Sequence, residues 1–131
     1  MKKVDIACII DDDPIFVFGT KRMMTLANFC NNFMVFQNGE EAINYLKPII
    51  QTKNFALPDI ILLDINMPIM DGWQFLDEFT SIPNDKKITI YIVSSSIDPQ
   101  DIARAKEYDT ISNYLVKPIT SEKLQSILSE N

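Results

Sequence analysis

In the stretch "PDIILLD" four apolar residues, Ile60 to Leu63, stand in a row between two aspartates, with no polar position among them. A strand with one wet face alternates apolar and polar residues at a period of two, so an unbroken run calls for cover on both faces. A central position in a parallel sheet meets that need, because crossover connections lay helices on both sides. The rest of the chain fits this requirement. Strand-like runs "VDIACII" (4–10), "FMVFQ" (33–37), "DIILLD" (59–64), "ITIYIVS" (88–94) and "NYLVK" (113–117) alternate with helical patterns. Asp13 as N-cap and Pro14 in the first turn predict a first helix running to about Phe29, weakened by Gly19. Asn38 and Glu41 have capping-box spacing, and Ala42, Tyr45, Leu46, Ile49 and Ile50 share one face of the helix that follows. Pro48 is expected to bend or end that helix. "GWQFLDEF" reads as a short helix buried through Trp73, Leu76 and Phe79. Asp98 and Pro99 open a fourth helix, and "SEKLQSILSE" closes the chain through Leu124, Ile127 and Leu128. The result is a doubly wound α/β fold, (βα)₅, in one domain spanning 1–131, with right-handed crossovers.

Composition narrows the function. A net charge of −6 argues against a nucleic-acid surface, which would carry a basic stripe. No run of eighteen apolar residues is present, and the apolar part after the N-terminal lysines is short and interrupted by Asp5, so neither membrane insertion nor a signal peptide is expected. A cytoplasmic protein is the expectation. Two separated cysteines, Cys8 and Cys30, and no histidine exclude the common zinc patterns and any Cys–His or Ser–His pair.

In open α/β sheets ligands bind beyond the carboxyl ends of the strands. The first strand ends there in Asp11 and Asp12, the third in Asp64 followed by "INMPIMDG", the fourth in Ser94, Ser95 and Ser96, and the fifth in Lys117–Pro118. Two carboxylates ~6 Å apart repel by roughly 3 kcal/mol at an effective dielectric of 20, so the acidic cluster needs a compensating cation. Clustered oxygens without His or Cys suit Mg²⁺, which favours a phosphate co-ligand. A carboxylate fixed at the end of a buried strand can attack a phosphoryl group to form an aspartyl phosphate. Lys117 and a serine hydroxyl would then take the remaining phosphoryl oxygens. Asp13 is read mainly as a helix cap.

The pieces "CIIDDDP", "PDIILLDINMPIMDGWQFL", "IYIVSSS" and "NYLVKPIT", in this order, resemble the response-regulator receiver domain of two-component signalling, from about Lys3 to the end. The resemblance implies a flavodoxin-like five-stranded sheet in order 2-1-3-4-5. It implies Asp64 as phosphoacceptor, served by a histidine kinase or phosphotransfer protein. It implies Mg²⁺ held by Asp12 directly, Asp11 mostly through water, Asp64, and the Asn66 carbonyl. Lys117 would contact the phosphate, next to a cis Lys117–Pro118 bond. Ser94 aligns with the switch hydroxyl, chosen from three adjacent serines because it directly follows "IYIV", and Tyr114 with the aromatic switch. Asn66 and Ser96 resemble positions that tune phosphate lifetime. The expected protein is a signalling switch without an output domain, catalysing only its own phosphorylation and dephosphorylation; its output is then another protein, or the chain is a piece of a longer regulator. It would act on a downstream protein through the helix 4, strand 5 and helix 5 face. "LKPIIQTKNFALPD" is longer than in compact receivers and is expected to affect partner contacts. Two rivals fit less well. A haloacid-dehalogenase-type phosphohydrolase wants an aspartate where Asn66 stands, and a flavodoxin wants a Ser/Thr/Gly-rich phosphate cradle where the chain has "DDDPIF".

Overall fold

The computed structural model describes residues 3–52 and 56–130. Five strands and five helices alternate: β1 (Val4–Ile10), α1 (Pro14–Leu26), β2 (Cys30–Phe36), α2 (Gly39–Gln51), β3 (Ile60–Leu63), α3 (Gly72–Ser81), β4 (Thr89–Ser94), α4 (Pro99–Ala105), β5 (Ile111–Val116) and α5 (Ser121–Glu130). The strands form one parallel sheet in the order β2-β1-β3-β4-β5. This is the flavodoxin-like arrangement that the resemblance implied.

Both faces of the sheet are covered, as the run in β3 requires. Ile61 and Leu63 pack with Cys8, Ile10, Ile90 and Ile92 against α2 and α3. Ile60 and Leu62 pack with Ala7, Ile9, Tyr91 and Val93 against α1 and α5, through Met24, Leu124, Ile127 and Leu128. All four residues of β3 are at most 1 % exposed. Each such side chain contributes roughly 1.5–3 kcal/mol on leaving water.

Local chemistry decides several boundaries differently from the sequence pattern. Helix α1 stops at Leu26, three residues before the expected Phe29, because Asn28 adopts a left-handed φ of 52°. Phe29 N–H then donates to the Met24 carbonyl and Asn28 N–H to that of Thr25, a Schellman closure with Phe29 fully buried. Strand β2 accordingly begins at Cys30, ahead of the expected Phe33. Its exposed Asn31 and Asn32 hide it from an apolar-pattern search, but its backbone pairs with β1 from Val4 onward. Strand β5 likewise starts at Ile111, two residues before the run "NYLVK". Helix α4 is short, ending at Ala105, and the Tyr108 ring just beyond it stacks on Trp73.

Pro48 lies inside α2 and does not end it. It sits on the exposed side with Asn44, the residue whose carbonyl an N–H at position 48 would otherwise reach, while Leu46 and Ile50 anchor the turns on either side in the core. Tyr45 is half-exposed rather than buried and lies 5.4 Å from the Phe36 ring; Ile43 takes the core position. Part of "LKPIIQTKNFALPD", residues 53–55, lies outside the described residues.

Candidate functional site

The parallel register brings the strand ends together. Ile10 of β1 pairs with Leu63 of β3, so Asp11 and Asp64, one step beyond, emerge side by side. Asp64 N–H donates to the Ile10 carbonyl (3.0 Å) and Asp11 N–H to the Phe36 carbonyl (3.0 Å), which fixes both backbones to the sheet. Ligand oxygens of Asp11, Asp12 and Asp64 lie within 4.8 Å of one another. Asp11 and Asp64 are buried, and Asp12 is exposed.

Lys117, one residue past β5, reaches into this group. Its Nζ stands 2.8 Å from Asp11 Oδ2 and 3.7 Å from Asp64 Oδ2. Behind it, the Phe16 ring centroid is 4.3 Å from Nζ. The Lys117–Pro118 bond is cis, as the resemblance implied. Burial pushes the Asp11 carboxyl above its usual range despite the Lys117 contact. Burial and the neighbouring Asp11 charge push Asp64 up as well. For Lys117, burial acts to lower the pKa, but Asp11 and Asp64 outweigh it and the ammonium is held more firmly than usual.

The surrounding loops are built to hold these groups. Asp13 N–H donates to Asp11 Oδ1 (2.9 Å), and Asp13 itself caps α1 by accepting from Ile15 N–H (3.0 Å), as its position before Pro14 predicted. Asn66 N–H donates to Asp64 Oδ1 (3.3 Å). Gly72 packs under the loop: a Cβ there would lie 2.5 Å from the Asp64 carbonyl oxygen and 2.7 Å from Ile65 Cα. Asp71 caps α3 in a reciprocal capping box with Gln74. Asn38 caps α2 by accepting from Glu41 N–H (2.8 Å), but the Glu41 carboxylate turns to Gln37 N–H, one residue before the expected partner. Among these loops, Ile69 has φ 69° and Met70 N–H bonds back to the Pro68 carbonyl (2.7 Å), a tight γ-turn.

Ser94 ends β4 fully buried, its carbonyl accepting from Lys117 N–H (2.9 Å) and its Oγ from Ser96 N–H (3.1 Å). Tyr114 is half-buried with its hydroxyl donating to the Ser96 carbonyl (2.8 Å). Ser96 Oγ in turn donates to Asp101 of α4 (2.6 Å). Of the residues singled out from sequence, Asp11, Asp12, Asp64 and Lys117 are thus brought into one group. Asn66 adjoins it through the backbone. Ser94 and Tyr114 meet at Ser96. Phe16 had no sequence signal beyond being an apolar residue in a first turn, and was missed.

The donors fit a hard divalent cation: every candidate ligand is oxygen, and the carboxylates stand close together with the Lys117 ammonium at 2.8 Å from buried Asp11 Oδ2.

The response regulator receiver domain family matches residues 7–129, and the chain belongs to it. A two-component response regulator from Cytophaga hutchinsonii is 30 % identical with a TM-score of 0.88, the match covering 98 % of this chain and 97 % of that one. The Mn²⁺-bound form of response regulator Rcp1 has the same fold, at 20 % identity and a TM-score of 0.77, over 95 % and 90 % of the two chains. The nitrate/nitrite response regulator protein NarL of Escherichia coli is 29 % identical over 93 % of this chain, which spans about half (52 %) of that protein's length. The protein is therefore a receiver domain of two-component signalling. Receiver domains accept phosphoryl groups, bind Mg²⁺ in an acidic pocket and interact with histidine kinases or phosphotransfer proteins. No described helix is long and apolar enough to cross a membrane.

Proposed function

We propose that Asp64 of this chain is the phosphoacceptor of a Mg²⁺-dependent signalling switch. The observation that carries this reading is the grouping of three carboxylates with one ammonium at the sheet edge, where Lys117 Nζ lies between Asp11 and Asp64. An Asp64 carboxylate oxygen forms a bond to phosphorus as the P–N bond of a donor phosphohistidine breaks, and the imidazole leaves with the electron pair. Asp11, Asp12, Asp64 and the Asn66 carbonyl are the residues to hold Mg²⁺, which when bound neutralises charge on the phosphoryl oxygens. Lys117 takes a phosphoryl oxygen, and Ser94 turns its hydroxyl toward the same group. To do so Ser94 gives up Ser96 N–H, the residue whose carbonyl holds Tyr114. Tyr114 then repacks, and the α4–β5–α5 surface changes for a downstream partner. We read that partner as a protein rather than nucleic acid, on the net charge of −6, and the setting as cytoplasmic.

The experiment is labelling with acetyl phosphate in Mg²⁺ buffer. One phosphoryl group per chain is expected, lost on Asp64→Asn and blocked by EDTA. Equal incorporation by Asp64→Asn would refute the nucleophile, and labelling unaffected by EDTA would refute the metal. Trp73 is a built-in reporter: it stacks on Tyr108 at 5.9 Å and lies under Arg104 of α4 at 4.7 Å, so its fluorescence should change as α4 shifts.

A further inference from the structure

Lys117 is a long, flexible cation that has to remain at one point in the pocket while the charges around it change. Its side chain carries about 2 kcal/mol of rotamer entropy, so it needs more than one anchor. Two anchors are carboxylates, Asp11 at 2.8 Å and Asp64 at 3.7 Å. Both are candidate metal ligands, and a bound divalent cation would compete for them and weaken their hold on the ammonium. The third neighbour does not change charge. Phe16, in the first turns of α1, presents its ring 4.3 Å from Nζ, within the range where the negative face of an aromatic ring attracts a cation.

The placement of Phe16 is set locally. Asp13 caps the helix and Pro14 fixes its first turn, so the residue three after Asp13 points back over the carboxyl edge of the sheet. Phe16 is half-buried and packs against the core cluster on the α1 and α5 side, which supports the ring from behind. Lys117 itself keeps only 14 % of its side chain exposed, so the ring and the two acids together screen it from water.

We infer that Phe16 is a positioning residue for Lys117, holding the ammonium over the phosphoryl site when metal binding loosens its carboxylate partners. This rests on the reading of Asp64 as phosphoacceptor. The ordinary alternative is that Phe16 only fills space, in which case an aliphatic residue of similar size would serve equally well.

The test uses the full chain with beryllofluoride, a phosphoryl analogue, in Mg²⁺ buffer, read by Trp73 fluorescence or ¹⁹F NMR. Mg²⁺ affinity and thermal midpoint are measured on the same samples. Phe16→Leu and Phe16→Met remove the ring, and Phe16→Tyr keeps it. The ringless variants should bind beryllofluoride about three- to tenfold more weakly. Their Mg²⁺ affinity should be unchanged, because no metal ligand is altered, and Phe16→Tyr should restore wild-type binding. The inference is overturned if the ringless variants bind the analogue as tightly as wild type. It is equally overturned if Phe16→Tyr is as weak as Phe16→Leu, or if analogue and Mg²⁺ affinities fall together with the midpoint. Asp64→Asn separates the two levels. Loss of analogue binding there with no effect of Phe16→Leu removes only the role of Phe16, whereas retained binding removes the phosphoacceptor reading beneath it.

Discussion

Two aspartates lie buried at the sheet edge, and the acid next to them changes their behaviour. Asp64 carries a raised pKa from burial and from Asp11, so its ionised form is less favourable folded than unfolded. The sign follows from proton linkage: between the ordinary and the raised value the folded state binds more protons, and stability falls as pH climbs through that window. Without divalent cation, Asp64→Asn should therefore raise the thermal midpoint at pH 7 by about 2–5 °C and flatten its fall as pH climbs above the ordinary carboxylate range. A midpoint lowered by this substitution would show that the charge is already well compensated. Ile69 offers a second single-residue test. A β-branched residue at φ 69° is strained, and the exposed side chain has little packing to lose. Ile69→Gly should be neutral or stabilising by up to ~1 kcal/mol in urea unfolding. Gly72 is the converse case: a Cβ there meets backbone at 2.5 Å, so Gly72→Ala should destabilise by roughly 2–4 kcal/mol and disturb the loop that carries Asn66.

At the scale of elements, α2 shows what pattern reading captures and what it leaves out. The 3.6-residue periodicity identifies Ala42, Leu46 and Ile50 as core, and all three are buried. Pro48 is judged from sequence by its missing N–H alone. The outcome depends on which side of the helix it occupies, and only packing decides that. Leu46→Ala should cost 2–5 kcal/mol by removing a fully buried side chain, measurable as a lowered denaturation midpoint with unchanged slope. Pro48→Ala should leave the fold intact and add stability, since it restores a hydrogen bond within a helix that already continues. The early end of α1 has a similar origin. Asn28 can take the left-handed conformation, but nothing in "TLANFC" says which residue will, until Phe29 is drawn into the core behind it.

For the whole molecule, opposite poles respond to pH with opposite sign. At the amino edge of the sheet, burial acts to raise the Asp59 pKa, but the hydrogen bond from Ile6 N–H and the Lys86 ion pair (2.9 Å) outweigh it and hold the carboxyl below its usual range. Its stabilisation is present above the ordinary carboxylate pKa and is lost as pH falls through the lowered value. At the carboxyl edge, Asp11 and Asp64 oppose stability as pH rises. A ligand that binds only the folded state stabilises by mass action, so Mg²⁺ at about 100 times its dissociation constant should add ~2.7 kcal/mol and reverse with EDTA. Calorimetry across pH with and without Mg²⁺ checks this: the gain should be largest where both carboxylates are ionised and vanish in acid.

The sequence alone determined the architecture and the identity of the acidic group. An apolar run without alternation admits few placements, and strict βα order leaves the carboxyl ends of the strands as the place where Asp11, Asp12, Asp64 and Lys117 collect. These are one-dimensional signals of period and position, and they survive without coordinates. Tertiary structure decided what depends on contacts between distant segments. It set the starts of β2 and β5, where backbone pairing overrides an unpatterned sequence, and the tolerance of Pro48. It put the Phe16 ring against an ammonium 101 positions along the chain. It also joined Ser94, Tyr114 and Asp101 through Ser96. Side-chain direction and long-range register follow from how the whole core closes, and no local stretch of sequence encodes them.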